Sequence, residues 1–182
     1  MFAVREIIKD KLYATETLNG SDSFTECFNQ WRDPMYIRDY LKQQPATQEF
    51  YGVGLKEAVK KILRESGQFR SKILKIVKGE EDYSTLDNFI FQPLHKSDDF
   101  NIPLISAKAY GRGINTSFLR LYAIRLSDGS YIVVGGLIKM HLSLQESKEG
   151  QRILDTLNEW TEYLQKNNID DSFDLGVLVN ET

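Results

Sequence analysis

The stretch from Phe118 to Lys139, F-L-R-L-Y-A-I-R-L-S-D-G-S-Y-I-V-V-G-G-L-I-K, decides the fold of this chain. Two apolar runs flank Asp128-Gly129, a dipeptide typical of a two-residue turn with positive φ at both central positions. The stretch therefore predicts a β-hairpin in which Tyr122 faces Gly135. The same count gives the other facing pairs, which are Arg120 with Leu137, Ile124 with Val133, and Arg125 with Ile132.

The two faces of this hairpin differ in character, because side chains alternate between faces along a strand. The first face is apolar apart from Arg125 and is predicted to be the core side, with Leu119, Leu121, Ala123, Ile132, Val134, Gly136 and Ile138. The second carries Phe118, Arg120, Tyr122, Ile124, Val133, Gly135, Leu137 and Lys139. A bulge at Gly135-Gly136 would shift the register and move Lys139 to the first face.

The second face is predicted to be the working surface. Arg120 and Lys139 lie diagonally across the strand pair at about 7 Å, where like charges repel by about 2.4 kcal/mol at an effective dielectric of 20. Gly135, opposite Tyr122, leaves an open floor beside these cations. Such a surface suits a phosphate or a nucleotide. The alternative is that both cations extend into solvent or pair with acidic groups, and such pairing is favoured for Arg125.

The composition is that of one globular domain. The chain has 182 residues, 41% hydrophobic content and a net charge of -3, which argues against a broadly basic nucleic-acid binder. Cys27, the single cysteine, excludes an intrachain disulfide and is predicted to be a buried thiol on a helix. Two histidines and one cysteine do not make a typical zinc site, and no metal or cofactor is expected. No apolar run is long enough to span a membrane and the amino terminus does not resemble a signal peptide, so we expect a cytoplasmic protein.

The pattern along the chain predicts an α+β fold in a single domain, 1–182. Residues 1–80 are expected to be mostly helical, and 104–168 to form an antiparallel sheet with a C-terminal helix packed on it. The first predicted elements are a strand within Val4–Thr15, a helix opened by a capping box at Ser23–Glu26 and a helix opened by Asp33-Pro34. A helix from Leu55 to Lys78, interrupted at Gly67, and an irregular segment from Glu80 to Pro103 follow. The last elements are a strand from Leu104 to Tyr110, the hairpin, a helix from Gln145 or Ser147 to Asn167-Asn168, and a loose acidic tail.

This order of elements, with L-R-L-Y-A-I-R-L, D-G-S-Y-I-V-V-G-G and I-K, resembles the RelE/ParE family of bacterial toxin–antitoxin systems, mainly over Leu104 to Leu164. The resemblance implies a toxin component, a candidate metal-independent endoribonuclease. In the RNA-cleaving members, a strand arginine and strand lysines bind the scissile phosphate. Arg120 stands at the arginine position, and Lys108 and Lys139 stand at the lysine positions.

The remaining candidates follow from the same resemblance. Tyr122 or His141 would transfer protons, and Arg112, in its glycine loop, would contact phosphate. His141 and Arg112 have an ordinary surface position as their alternative. The expected partners are RNA or the ribosome and an antitoxin that covers the cationic side; no membrane partner is expected.

A second hypothesis comes from the features that depart from the family. Typical members are shorter and strongly basic, and relatives that attack gyrase share the fold without nuclease chemistry. The alternative is therefore a non-catalytic protein-binding module on the same scaffold. Its support is the acidic balance, the additional helices and three aromatics expected to be exposed, Tyr36, Tyr40 and Tyr51.

Overall fold

A computed structural model describes residues 2–44, 52–80, 86–95, 103–111, 117–140 and 144–179. Within these ranges the chain forms one six-stranded sheet and five α-helices, which confirms the α+β class. The strands are β1 (Val4–Ile8), β2 (Leu12–Thr15), β3 (Phe91–Pro93), β4 (Ile105–Tyr110), β5 (Leu119–Arg125) and β6 (Tyr131–Ile138). The helices are α1 (Ser23–Gln30), α2 (Pro34–Lys42), α3 (Leu55–Val77), α4 (Lys148–Lys166) and α5 (Ser172–Leu175). Single turns of other helix types lie at Leu86–Ile90, Leu144–Glu146 and Gly176–Leu178.

The sheet is mixed rather than purely antiparallel. Its strand order is β1-β2-β6-β5-β4-β3, and β2 runs parallel to β6 while the other neighbours are antiparallel. The prediction of one strand within Val4–Thr15 was incomplete, since this segment folds into a hairpin of two strands around Asp10, whose φ is 58°. The prediction that 80–103 is irregular was also incomplete, because Phe91–Pro93 forms the edge strand next to β4.

The predicted hairpin is present, but its loop has three residues instead of two. The backbone N–H of Leu126 donates to the carbonyl of Ser130 at 2.8 Å, and that of Gly129 donates to the carbonyl of Leu126 at 3.1 Å. Gly129 has a φ of 84°, the left-handed conformation that closes a three-residue hairpin loop. The pairs nearest the loop are therefore shifted by one residue from the prediction, to Arg125 with Tyr131 and Ile124 with Ile132.

A β-bulge at Val134 restores the predicted register farther from the loop. Ala123 pairs with Val133, and the next pair along β5 is Tyr122 with Gly135, so Val134 is the additional residue. Arg120 pairs with Leu137 as predicted. The two deviations cancel, and Arg120, Tyr122 and Lys139 keep their predicted face. The predicted core list changes near the loop: Tyr131 and Val133 lie on the side of Ala123, while Ile132 and Val134 lie on the opposite side.

Both faces of the sheet are covered. The face that carries Leu119, Leu121 and Ala123 packs against α1, α2 and α3. The opposite face packs under α4, whose predicted stripe is buried as expected, with Ile153, Leu157, Trp160 and Leu164. A Cβ at Gly135 would lie 3.8 Å from Ile153 Cγ1, so the predicted open floor is covered by α4. The second face is thus a second core over much of its area.

Local sequence signals account for most helix ends. Asp33 caps α2 and Pro34 occupies its first turn, as predicted. The N-cap of α1 is Asp22, which accepts the N–H of Thr25 at 2.8 Å, and not the predicted capping box that starts at Ser23. α3 continues through Gly67, and the chain leaves it at Gly79 with a φ of 80°.

Helical turns also order the C-terminal part of the described chain. Ser147 caps α4, and the expected loose tail instead forms α5 and a further turn that ends in a bridge from Val179 to Val4.

Cys27 is buried, and this burial raises the pKa of its thiol to about 12. Among the helices described, none combines the length and the apolar character needed to cross a membrane.

Candidate functional site

A pocket of about 190 Å³ opens where β4, β5 and the end of β6 meet the chain leading into α4. The part of the sheet that α4 leaves uncovered forms its floor. The lining residues are Leu94, His95, Lys108, Tyr110, Arg120, Tyr122, Lys139, Leu144, Gln145 and Leu154. Four predicted site residues, Lys108, Arg120, Tyr122 and Lys139, are therefore brought together at one place.

The register explains why these side chains converge. Lys108 pairs with Tyr122 across β4 and β5, and Tyr110 pairs with Arg120 two residues along. Directly paired residues project to the same face of a sheet. Lys139 follows the last residue of β6, and its backbone N–H donates to the carbonyl of Phe118 at 2.7 Å. Three neighbouring strands thus each contribute one cation.

Arg120 is the most constrained of the three cations. Its side chain is almost fully buried, with 7% of the residue exposed. Nη1 donates to the carbonyl oxygens of Ser117 and Leu119, both at 2.8 Å. Its Cζ lies 4.1 Å from the centroid of the Tyr110 ring, close enough for a cation–π interaction. The guanidinium is therefore held by backbone and by an aromatic face.

Lys139 shows the electrostatic consequence of this arrangement. Burial lowers the pKa of its ammonium, and the positive charges of Arg120 and Lys108 lower it further, while Glu146 opposes the shift. Lys108 itself donates from Nζ to the carbonyl of Leu94 at 3.3 Å. The repulsion inferred from the sequence is therefore present at this site and involves three cations.

Tyr122 lies at the bottom of the pocket and is only 3% exposed. Burial raises the pKa of its phenol far above the ordinary value of 10.0, and Tyr110 adds to this rise, whereas Arg120 opposes it. The hydroxyl consequently keeps its proton at neutral pH. It suits donation of a hydrogen bond or a proton far better than abstraction of one.

Two lining residues were missed at the level of sequence. Tyr110 was read only as the end of a strand, yet it supports the Arg120 guanidinium. His95 follows β3, and it reaches the pocket because that unpredicted edge strand lies beside β4. The alternation of Lys108 and Tyr110 along β4 is the sequence signal by which Tyr110 could have been identified. The predicted residues Arg112 and His141 lie outside the described residues.

Arg125 takes no part in the pocket, as the sequence predicted. It lies on the opposite face, where Nε and Nη2 each donate to a carboxylate oxygen of Asp87 at 2.9 Å. The hydroxyl of Tyr131 also donates to Asp87. The Asp87 hydrogen bonds raise the pKa of the Arg125 guanidinium, although burial opposes this. Arg125 and Asp87 therefore form a structural ion pair that connects the loop end of the hairpin to the turn at Leu86–Ile90.

A second cationic cleft lies on the helical side of the molecule. It measures about 390 Å³, and its charged lining residues are Arg32, Arg70, Lys75, Lys78 and Glu80. All of these except Arg70 are exposed, so water screens their charges. This agrees with the sequence interpretation of a solvated helix face. The smaller pocket, where the buried Arg120 lies next to the half-buried Lys108 and Lys139, is the better candidate for a specific anion.

One acidic cluster offers ligand atoms of the kind metals use. Carboxylate oxygens of Asp170, Asp171 and Asp174 lie within 4.8 Å of one another. Asp171 accepts the N–H of Asp174 at 2.8 Å, which makes it the N-cap of α5. Asp128 accepts the N–H of Ser172 at 2.9 Å at the same helix start. The cluster is therefore explained by the capping of a short helix.

Fold and pocket together define a mixed α+β protein with a recessed cationic site walled by aromatic side chains. Searches for similarity to family models, to curated proteins and to solved structures give no match for this chain. The resemblance to RelE/ParE toxins accordingly remains a hypothesis carried by the residues themselves.

Proposed function

We propose that this chain is a toxin-like, metal-independent endoribonuclease whose recessed cationic pocket binds the scissile phosphate of single-stranded RNA. The observation that carries the proposal is the convergence of Lys108, Arg120 and Lys139 from neighbouring strands on one small pocket. Burial lowers the pKa of Lys139, and the positive charges of Arg120 and Lys108 lower it further; an anion between the three cations would relieve their repulsion. Tyr110 at the wall suits stacking or packing against an unpaired nucleotide, as in many single-strand RNA sites.

The chemistry requires proton transfer at two oxygens. The ribose 2′-oxygen attacks phosphorus and forms a new P–O bond, and the P–O5′ bond breaks. One proton leaves the 2′-hydroxyl and one reaches the departing O5′, so the products are a 2′,3′-cyclic phosphate and a 5′-hydroxyl. No water, oxidant or reductant enters this step. Side chains that hold charge and move protons are sufficient.

The lining residues divide between these tasks. Arg120, Lys108 and Lys139 would stabilise the additional negative charge that builds on the phosphoryl oxygens in the transition state. Tyr122 keeps its proton and would donate to the phosphate or to O5′. His95 lies exposed at the rim of the pocket, and among the described residues it is the histidine that would accept the 2′-hydroxyl proton. His141 remains the other proposed proton carrier.

The donor set of the pocket supports the metal-independent form of the reaction. The ten residues that line it include no aspartate or glutamate among those described. Mg²⁺ is usually bound through carboxylate oxygens. Three cations in the same small volume would repel a divalent metal ion.

Cleavage of a labelled single-stranded RNA by purified protein in excess EDTA tests the proposal. We expect wild-type protein to give products ending in a 2′,3′-cyclic phosphate, and expect Lys108→Ala and Lys139→Ala to lower the cleavage rate about a hundredfold. Lys75→Ala, in the exposed cleft on the helical side, is the matched control and should cleave normally. Arg120→Ala should abolish growth inhibition in cells that express the protein.

Failure is recognisable in this design. If wild-type protein leaves RNA intact, or if Lys75→Ala loses as much activity as Lys108→Ala, the pocket is not the site of an RNA-cleaving reaction. A circular dichroism melt of each variant separates loss of chemistry from loss of fold.

The second candidate is a non-catalytic module that binds a protein partner. Its original aromatic support has weakened, because Tyr36 and Tyr40 are half-buried and Tyr51 lies outside the described residues. The observation that favours it is a pair of exposed apolar residues, Phe173 within α5 and Val177 just after it. Their exposed fractions are 88% and 79%. Harmless expression together with loss of partner capture by Phe173→Ser would favour this candidate. Under the first proposal, a cognate antitoxin would cover the cationic pocket instead.

A further inference from the structure

Glu65 is an unexpected residue at the centre of α3. It is fully buried, with 0% of its surface exposed, on the helix face that packs against the sheet. Burial of a carboxylate is costly unless the charge is well paired. Among the residues that the structure describes, Oε1 has no hydrogen-bond partner, and the Lys61 ammonium lies 4.0 Å from it. An apolar side chain would suit this core better, so stability alone does not explain the glutamate.

Within the described residues, the side-chain hydrogen bonds of Glu65 reach one short segment, Ser117–Phe118, just before β5. Oε2 accepts the hydroxyl of Ser117 at 3.0 Å and the backbone N–H of Phe118 at 3.3 Å. The same hydroxyl oxygen accepts the N–H of Leu119 at 3.0 Å. One carboxylate therefore sets the position of three consecutive residues.

These three residues hold the cations on the other face of the sheet. The carbonyl oxygens of Ser117 and Leu119 are the two acceptors of Arg120 Nη1, each at 2.8 Å. The carbonyl of Phe118 accepts the backbone N–H of Lys139 at 2.7 Å. A continuous chain of hydrogen bonds thus runs from Glu65, through the backbone, to Arg120 and to the main chain of Lys139.

We propose that Glu65 is a positioning residue: from the helical side of the sheet it fixes Ser117–Leu119, and through them it orients Arg120 for an anion in the recessed pocket. Its effect on cleavage rests on the proposed function, whereas its effect on the Arg120 side chain does not. The contact acts by hydrogen-bond acceptance, so a glutamine, which keeps one acceptor oxygen, replaces it. A leucine of similar volume does not.

The test compares Glu65→Leu and Glu65→Gln with Ile62→Ala. Ile62 is fully buried on the same face of α3, so its truncation destabilises the fold without removing the Ser117–Phe118 hydrogen bonds. The first measurement is solvent exchange of the Arg120 Nε–H by ¹⁵N NMR in the free protein. We expect Glu65→Leu to accelerate it about tenfold, and expect Glu65→Gln and Ile62→Ala to change it by less than about threefold.

The second measurement is a titration with inorganic phosphate, followed at the same Arg120 resonance, and then RNA cleavage. We expect Glu65→Leu to weaken phosphate binding and Glu65→Gln to retain it. If phosphate binds but wild-type protein cleaves no RNA, the positioning role stands and the nuclease proposal fails. If Glu65→Leu exchanges and binds phosphate like Ile62→Ala, Glu65 is only a structural residue and the inference is overturned. Should Glu65→Leu not fold, Ser117→Ala, which removes the hydroxyl alone, gives the same comparison.

Discussion

Arg120 is a buried cation with two kinds of uncharged contact on one side of the sheet. Its Nη1 is satisfied by two backbone carbonyls, and its π-face rests on Tyr110. Neither contact neutralises the positive charge, because carbonyl groups and aromatic rings carry no net charge. A planar guanidinium can donate to both carbonyls and stack on the ring at the same time, which an ammonium cannot do. An arginine therefore suits this position better than a lysine would.

Lys139 gives the pocket a defined pH dependence. The lysine pKa is lowered in the folded protein and is near the ordinary 10.5 in the unfolded chain. Between these two values the unfolded chain binds more protons, so this group makes the protein more stable as pH rises through that window. Anion binding has the opposite sign: it needs the charged lysine, so affinity falls as pH rises through the lowered pKa.

A non-cleavable probe measures this effect. We expect the affinity for a labelled DNA oligonucleotide, which lacks the 2′-hydroxyl, to fall between neutral pH and pH 10.5 in wild-type protein. Lys139→Arg should lose less affinity across this range, because its guanidinium stays charged. Fluorescence anisotropy at fixed ionic strength provides the comparison. Equal pH profiles for the two proteins would show that Lys139 does not contact the anion.

The strand β6 contains two adjacent glycines with unequal roles. A Cβ at Gly136 would lie 2.7 Å from the ring of Trp31 and 2.8 Å from the carbonyl oxygen of Arg120. At Gly135 the nearest atom, Ile153 Cγ1, would be 3.8 Å away, an ordinary contact. Glycine is therefore required at one position for close packing, and it is merely tolerated at the other.

We expect Gly136→Ala to destabilise the protein by about 1–3 kcal/mol, as overpacking of a filled core does. Gly135→Ala should change the free energy of unfolding by less than about 1 kcal/mol, because the methyl group fits and the unfolded chain loses freedom. Urea denaturation of the two variants, with their m-values compared, makes the measurement. Equal destabilisation of both variants would contradict the close packing of Trp31 on β6.

The hairpin also shows how far local sequence signals extend. Its strands, its turn and the shared face of Arg120, Tyr122 and Lys139 were predictable from alternation and from Asp128-Gly129. The three-residue loop and the bulge at Val134 were not, because both depend on how the strands twist against α1 and α4. The prediction that Arg120, Tyr122 and Lys139 share one face is confirmed because the two deviations cancel. It would have failed with either deviation alone.

Long-range pairing explains the other omissions. The segment Val4–Thr15 was predicted as one strand, since nothing in its composition reveals that it folds back and then pairs in parallel with β6. Phe91–Pro93 is too short to show alternation, and it becomes a strand only against β4. His95 was missed for the same reason. Positions set by neighbours distant in sequence are not visible in a local pattern.

The whole molecule combines a negative net charge with a small cationic site. The net charge is -3, while three cations are concentrated in one pocket between β4, β5 and β6. Such a protein would attract RNA through a few phosphates rather than through a broad basic surface. The proposed recognition of RNA should therefore be local, and its dependence on salt should be shallow.

We expect the logarithm of RNA affinity to fall with the logarithm of salt concentration with a slope of about -2, the value for three phosphate contacts on a single strand. Lys108→Ala should reduce the steepness by about 0.7, the contribution of one contact. Lys75→Ala should leave the slope unchanged, because that lysine lines the exposed cleft on the helical side. Anisotropy titrations of one deoxy-substituted oligonucleotide at several salt concentrations supply all three slopes. A wild-type slope steeper than about -4, or a slope that responds to Lys75 as it does to Lys108, would mean that RNA spreads over the surface and that the pocket does not dominate binding.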